Sequence, residues 1–393
     1  MDSIANDVNH QWVACQIGAR EHYAIPNDLN ANDQLEMMIT DYWVKSKFQI
    51  TKNAKGRSHA EIPSEKVVSF NNSAIMFALQ SKIKRVQGWE LVMKRNDWFQ
   101  KKAVDFLKKH DPQSSHVFSY SYAAKEIFKY AKERGLETVL GQIDPGPLEE
   151  DIVKREMHQY PQYKSEWQPA PKAYWENWYE ECGLADKIIV NSEWSSQALI
   201  ARGVNENKIK IVPLSYSNSE AKSFVRNYPL SFDKHRPLRV LFLGQAILRK
   251  GIARVIEVAR MLVDKPVEFV IAGPIGISPV LEIQNVKWVG RVPRLDANSY
   301  FKNADVFLFP TLSDGFGLTQ LEAQAWKLPI IASKNCGVVV RNKENGWVLE
   351  EVSAAAIENV IDLILKQPEI LKEYSSKIDA DENKISLTNY LTK

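Results

Sequence analysis

Cysteine is scarce: Cys15, Cys182 and Cys336 are the only three in 393 residues, far apart, odd in number and free of any C-x-x-C spacing. That excludes a disulfide framework and a cysteine-built zinc site, and it fits a reduced, cytoplasmic protein with partly buried thiols. No apolar run approaches the roughly 18 residues that a bilayer-crossing helix needs. Met1–His10 is polar, with no apolar signal core, so any membrane contact is expected to be peripheral. Net charge is also nearly absent: 51 basic against 48 acidic residues leave +3, no mandate for nucleic acid. Neither G-x-G-x-x-G nor a Walker loop occurs, which weighs against dinucleotide dehydrogenases and P-loop kinases. The seven histidines are scattered, without metal-ligand spacing.

What is present is an alternation. In the second half, apolar runs at Leu238–Leu243, Val267–Ala272, Val286–Val289, Asp305–Phe309 and Pro329–Ala332 read as strands, separated by helical patterns such as Ile252–Leu262 and Leu318–Lys327. Strands alternating with helices imply a parallel sheet covered on both faces. The first half repeats this at Trp12–Ile17, Val117–Ser119, Thr138–Ile143 and Lys187–Val190. Pro213–Pro237 reads as a linker. The division is an N-terminal domain over 1–214, a C-terminal domain over 215–370 and a helical tail over 371–393, expected to pack back towards the N-terminal domain. Two doubly wound α/β domains of this kind place a ligand cleft at the C-terminal ends of their strands.

Two loops carry chemistry. In the first, Asp314, Gly315, Phe316, Gly317, Leu318 and Thr319 lie between a strand and a helix, with Glu322 one turn further on. Backbone N–H groups at such a helix start suit a phosphate, and the glycines permit close approach. Thr319-x-x-Glu322 equally fits a capping box, in which Glu322 only satisfies the helix start. The second loop runs from Gly244 to Gly251 and carries Arg249 and Lys250 just before a helix N-terminus, where cations oppose the helix dipole unless an anion lies there. A solvated basic loop is the plainer alternative.

With Ile271-Ala272-Gly273, Val286–Gly290, Ala304–Val306 with Pro310, Leu328–Ser333 and Asn345–Val348, these loops resemble the donor domain of the retaining GT-B glycosyltransferases of family 4. Upstream, Ala185–Ser192 followed by Pro213 also matches, so the resemblance is strong from about Ala185 to Val348 and weaker before it. It implies a GT-B fold, two Rossmann-like domains facing each other across a cleft. It also implies a metal-independent retaining hexosyltransferase that needs no cofactor and uses a nucleotide diphosphate-sugar donor and a glycan or glycolipid acceptor, in polysaccharide biosynthesis. By position, Glu322 would hold the donor ribose, Asp314 the transferred sugar, and the Phe316–Thr319 backbone the diphosphate. Arg249 and Lys250 would neutralise the leaving group, the Gly290-Arg291-Val292 loop would meet the base, and Gly18 would close the cleft from the other domain.

Three positions depart from the family pattern. Asp314 stands where Glu is usual, Gln245 where Arg is usual, and Gln142-Ile143-Asp144 where a His is common; Asp144 is the substitute candidate, although Asp144–Pro147 also reads as a turn. Gln245 and Asp314 motivate the alternative of an inactive nucleotide-sugar-binding relative serving as a scaffold. Asp379-Ala380-Asp381 reads as a solvated chance match to a metal-binding pair. Finally, Lys82, Lys84, Arg85, Lys94, Arg95, Lys101, Lys102, Lys108 and Lys109 face only Glu90, Asp97 and Asp105 in the window 82–109, interleaved with Trp89, Trp98, Phe99 and Phe106. An anionic membrane surface at the inner face of the membrane suits that stripe. Aromatic interleaving also suits single-stranded nucleic acid, and a solvated amphipathic face is the plainer alternative.

Overall fold

The computed structural model describes residues 10–44, 56–216, 218–280, 282–293 and 296–379; Asp381 and the tail beyond Asp379 lie outside the described residues. Among the described residues thirteen strands form two parallel sheets. The first holds β1 (Trp12–Gln16), β2 (Leu35–Thr40), β3 (Val67–Ser69), β4 (His116–Tyr120), β5 (Glu137–Gln142), β6 (Lys187–Val190) and β7 (Ile209–Ile211), in the order β3-β2-β1-β4-β5-β6-β7. The second holds β8 (Leu238–Leu243), β9 (Val267–Ala272), β10 (Val286–Gly290), β11 (Val306–Phe309), β12 (Ile330–Ser333) and β13 (Gly346–Leu349), in the order β10-β9-β8-β11-β12-β13. Each sheet reverses direction of winding once, between β1 and β4 (Cys15 opposite Ser119) and between β8 and β11 (Val306 opposite Val240). Those reversals open the crevices in which doubly wound sheets bind ligands.

The strands are where continuous apolar runs permit burial on both faces: every residue of β1, β4 and β11 is buried. β2, β3, β7 and β13 had no sequence expectation as strands. Leu35-Glu-Met-Met-Ile-Thr is neither alternating nor rich in branched residues, and its place beside β1 comes from pairing rather than propensity. All three thiols are buried, and burial alone pushes Cys15 up to about 12.

The segment between the domains is held to the second one. The Arg226 guanidinium donates to the carbonyls of Phe301, Ala304 and Trp326 at 2.7, 2.5 and 2.8 Å. The tail expectation is corrected over its described part. Glu369–Ser376 is a helix on the C-terminal domain, not the N-terminal one: Leu371 and Tyr374 join that domain's core and Ser375 Oγ donates to Lys327 O at 2.7 Å. Its apolar stripe is satisfied by Trp347, whose ring lies 4.9 Å from that of Tyr374.

A different element bridges the domains. The helix Pro147–Gln159 belongs to the first domain in sequence, yet Tyr160 and Tyr163 just beyond it sit in the core of the second. Glu156 and Arg254 form a bidentate ion pair in which each side chain is only 8 % exposed. Lys164 and Ser278 exchange backbone hydrogen bonds of 2.7 and 3.0 Å.

Candidate functional site

At the β8/β11 crevice the two chemistry-bearing loops meet. Leu248–Lys250 is a single 3₁₀ turn after β8, and Leu312 N donates to Arg249 O at 2.8 Å, which locks that turn against the loop after β11. Lys250 Nζ donates to Asp314 and lies 5.2 Å from the centre of the Phe309 ring. Arg249 Nη1 donates to Ser313 O at 2.7 Å and to Glu149 Oε2 at 3.3 Å. Ser313 Oγ donates to the same Glu149 oxygen at 3.0 Å. Burial first, then the adjacent Arg249 guanidinium, pushes Lys250 down to about 7. Burial also raises Glu149, with Arg249 opposing. Two cations and two carboxylates therefore share a site largely withdrawn from water.

The loop after β11 touches the other domain. Ser192 Oγ and Ser195 Oγ donate to Gly315 O at 2.6 and 3.3 Å, and Trp194 Nε1 donates to Ser313 Oγ at 3.2 Å. A Cβ on Gly315 would lie 2.1 Å from Ile143 O, so only glycine lets the two loops meet. Gly317, at φ +86°, is the N-cap of the helix Leu318–Ala325, and a Cβ there would strike the Phe309 ring at 2.5 Å. Leu318 and Thr319 are thus the first two helical residues, with exposed-end N–H groups. This geometry removes the capping-box reading: Thr319 lies inside the helix, and Glu322 is half-buried one turn along. Phe316 is buried against Gly337, whose N–H donates to Phe316 O at 2.9 Å.

Across the crevice, Asp144 is a fixed carboxylate rather than a loose turn residue. Its Oδ1 accepts from Tyr122 OH, Gln142 Nε2 (3.0 Å) and Gly146 N (2.9 Å), and Trp178 Nε1 in turn holds Gln142 Oε1 at 2.9 Å. Asp144, Glu149 and Arg249 line a cavity of about 310 Å³ shared by both domains and walled by Trp89, Tyr122 and Tyr174.

The structure therefore brings together Arg249, Lys250, Asp314, Gly315 and, through Glu149 and the cavity, Asp144. Gly244 ends β8 beside them, its N–H on Ala272 O at 2.9 Å. Arg291 is exposed and Val292 packs on the C-terminal core, after β10 at the same end of the sheet. Gly18 stands apart. Its N–H donates to Asp41 Oδ1 at 2.9 Å, and no contact joins it to the Arg249–Asp314 group among the described residues. Sequence reading missed Glu149, Ser313 and Tyr122. Glu149, following Pro147 at a helix start, looks like an ordinary dipole-compensating acid; only the docking of that helix on the second domain turns it towards Arg249.

Residues 231–380 match the family model described as Glycosyl transferases group 1. The chain is 25% identical over 205 residues to the capsular polysaccharide biosynthesis glycosyltransferase CapM of Staphylococcus aureus, covering 48% of this chain and 54% of the relative. It is 29% identical over 181 residues to the amylovoran biosynthesis glycosyltransferase AmsK of Erwinia amylovora, covering 42% and 43%. These matches span about half the length of the curated relatives. The whole fold is similar to Anabaena HepE in complex with UDP, with TM-score 0.60 at 13% identity over 97% of this chain and 98% of that one. It is similar also to sucrose-phosphate synthase from Thermosynechococcus elongatus, with TM-score 0.61 at 17% identity over 98% of both chains. At such identities the likeness shows the fold, which is the GT-B architecture.

Proposed function

We propose that this chain is a glycosyltransferase that moves a hexose from a nucleotide diphosphate-sugar to a glycan or glycolipid acceptor, with retention of anomeric configuration, in polysaccharide biosynthesis. The observation that carries the reading is the convergence of Arg249 and Lys250 with the Asp314–Thr319 loop at the β8/β11 crevice. The match of residues 231–380 supports it, as do the relatives named for capsule and exopolysaccharide synthesis.

In this reading the diphosphate lies between the cations and the N–H groups of Gly317, Leu318 and Thr319. It displaces Glu149 and Asp314 from Arg249 and Lys250, and Asp314 is released to hold the sugar's hydroxyls. Glu322 takes the ribose, and Gly244, Arg291 and Val292 border the base. Arg249 and Lys250 then neutralise charge that grows as the glycosidic bond breaks. This is charge compensation without need of a metal or any cofactor. Asp144, held by three donors, faces the reacting carbon in the position the family gives to histidine. The leaving phosphate oxygen draws the acceptor proton on the same face. Gln245 is exposed, and Arg249 in the same loop supplies the guanidinium it lacks, so no observation favours an inactive scaffold. The deciding experiment is incubation with a panel of nucleotide-hexoses, reading donor hydrolysis and the product anomer by NMR, with and without EDTA. No turnover of any donor would restore the scaffold reading. An inverted product, or activity lost to EDTA and restored by a divalent ion, would overturn the mechanism.

We also place the protein at the inner face of an anionic membrane. The expected stripe straddles two helices, and only part of it is surface. In Gly88–His110, Phe99, Ala103 and Leu107 are core, and Arg95 is turned inward. The apolar exposure lies on the preceding helix Asn71–Ile83, where Ile75, Met76, Leu79 and Ile83 are 49, 59, 55 and 79% exposed beside the exposed Lys82, Lys84 and Arg85. An apolar face flanked by cations suits an interfacial helix. Vesicle co-sedimentation tests it: Ile75→Ser, Leu79→Ser, Ile83→Ser together should abolish binding to anionic vesicles, and unchanged binding would sink the placement.

A further inference from the structure

The first sheet has a crevice of its own, at the β1/β4 reversal. It holds about 50 Å³, several times the ~10–15 Å³ that a single water requires. Gln16 at the end of β1, Arg20 in the following loop, Arg95 from the helix Gly88–His110, and Ser121 after β4 line it. Three of the polar atoms here are buried without a partner: Arg95 Nε, Ser121 Oγ and Gln16 Oε1. Gln16 and Ser121 are only 2 and 4% exposed. A buried polar atom left without a partner costs desolvation free energy, and Arg95 Nε is such an atom on an otherwise half-buried side chain. Three such groups around one small space indicate a missing occupant.

Charge identifies the occupant's chemistry. Arg57, nearby, is spent on Asp41 at 3.1 Å. Glu21 accepts from Asn191 and Tyr120 at 2.8 and 3.0 Å. Neither Arg20 nor Arg95 has a direct hydrogen-bond or ion-pair partner among the described residues; carboxylates reach them only at longer range, Asp41 acting on Arg95 ahead of the repulsion from Arg20, and Glu21 lying in the field of Arg20. Two guanidiniums without a direct carboxylate partner among the described residues can only donate, and the Ser121 hydroxyl can donate beside them, which suits a multiply charged acceptor, whereas Gln16 Oε1 is left to accept from a hydroxyl. A phosphate monoester on a polyhydroxyl body answers all of these. The crevice shares Tyr122 and Tyr174 with the 310 Å³ cavity that reaches Asp144 and Arg249; those two rings are stacked at 4.8 Å.

We propose that the β1/β4 crevice is a phosphate subsite that holds the phosphoryl group of the acceptor, between Arg20, Arg95 and Ser121, with the acceptor's body extending past Tyr122 into the shared cavity. That the phosphate belongs to an acceptor rests on the transferase reading; that the crevice binds phosphate does not.

The test uses inorganic phosphate as probe, titrated by calorimetry against the full chain with the donor site saturated by whichever of UDP, GDP and ADP binds. Wild type should bind phosphate, and Arg20→Gln, Arg95→Gln should weaken it at least about tenfold, since charge-assisted bonds are removed. Arg95→Met guards against misfolding as the explanation: replacing a half-buried side chain whose Nε has no partner should leave thermal stability close to that of wild type while phosphate binding is lost. Glycerol 3-phosphate and dodecyl phosphate separate the sources. Equal affinity points to a soluble phosphate ester, and a marked preference for the second points to a lipid-borne one. Wild type that ignores phosphate under that nucleotide, or arginine variants that bind it unchanged, would overturn the subsite. Should wild type bind none of UDP, GDP and ADP, the transferase reading falls instead, and the same titration on Lys250→Ala, whose donor-site cation is gone, still decides the crevice.

Discussion

The two crevices share a topology and differ in how their cations are kept. At β8/β11, Arg249 and Lys250 are each matched by a carboxylate, Glu149 and Asp314. At β1/β4, Arg20 and Arg95 face a space lined by unpartnered polar atoms. The winding supplies a binding crevice twice over. Side chains then set its resting state, one paired ion to ion and waiting for an exchange of anions, the other with its cations in no direct ion pair among the described residues.

The first way to break this comparison is to separate the crevices. Glu156→Ala strands Arg254 where it is 8% exposed, so stability should fall by about 3–5 kcal/mol, read as a lower thermal midpoint. Glu156→Ala with Arg254→Met should recover most of it. If the single variant is as stable as wild type, the helix Pro147–Gln159 does not hold the domains together.

Next is the charge-balanced crevice itself. Lys250→Ala should lower turnover by about 10²–10³ with a smaller effect on donor affinity, because the contact strengthens as leaving-group charge develops. Steady-state kinetics would show it. An effect confined to KM would mean that Lys250 binds the ground state and transition state alike.

Glu322→Ala should cost about 1.5–3 kcal/mol in UDP binding for each charge-assisted bond to the ribose. The helix should be little affected, because Gly317 and not Thr319 is at the N-cap position, which leaves Glu322 outside a capping box. Calorimetry and circular dichroism together separate the two consequences, and unchanged affinity would remove Glu322 from the donor site.

The smallest effect is a titration. Lys250 is near 7 in the free protein, and a diphosphate beside it favours the charged form, so its value must rise on binding. Binding therefore takes up a proton, and by linkage UDP affinity should fall as pH rises through 7, by at most about tenfold per pH unit. Below 6 the dependence from this group should vanish. Lys250→Met should flatten the profile, and an affinity that grows with pH would show the sign to be wrong.

How much of this was legible beforehand differs by half of the chain. In the second half β8 and β9 lie on the expected residues, because their buried runs end at Gly244 and Gly273, and the Arg249–Lys250 and Asp314–Glu322 loops occur where those strands and helices hand over. In the first half β2 and β3 went unseen, since Leu35–Thr40 carries Glu and Met where branched residues would have marked a strand. The expected basic stripe treated Arg95 as one more surface cation, because a helix pattern shows spacing but not which neighbour stands against each face.

Sequence alone determined two α/β domains, a cationic loop and a glycine-bearing one, since periodicity, turn residues and local loop chemistry are encoded within a few neighbouring positions. Tertiary structure alone decided that Glu149 faces Arg249, that Gly315 meets Ile143, that the described tail packs on the C-terminal domain, and that Arg95 turns inward beside Gln16 and Ser121. Each of these joins residues tens to more than a hundred positions apart, and such contacts are selected by how whole sheets and helices bury their apolar faces together, a quantity no local stretch of the chain contains.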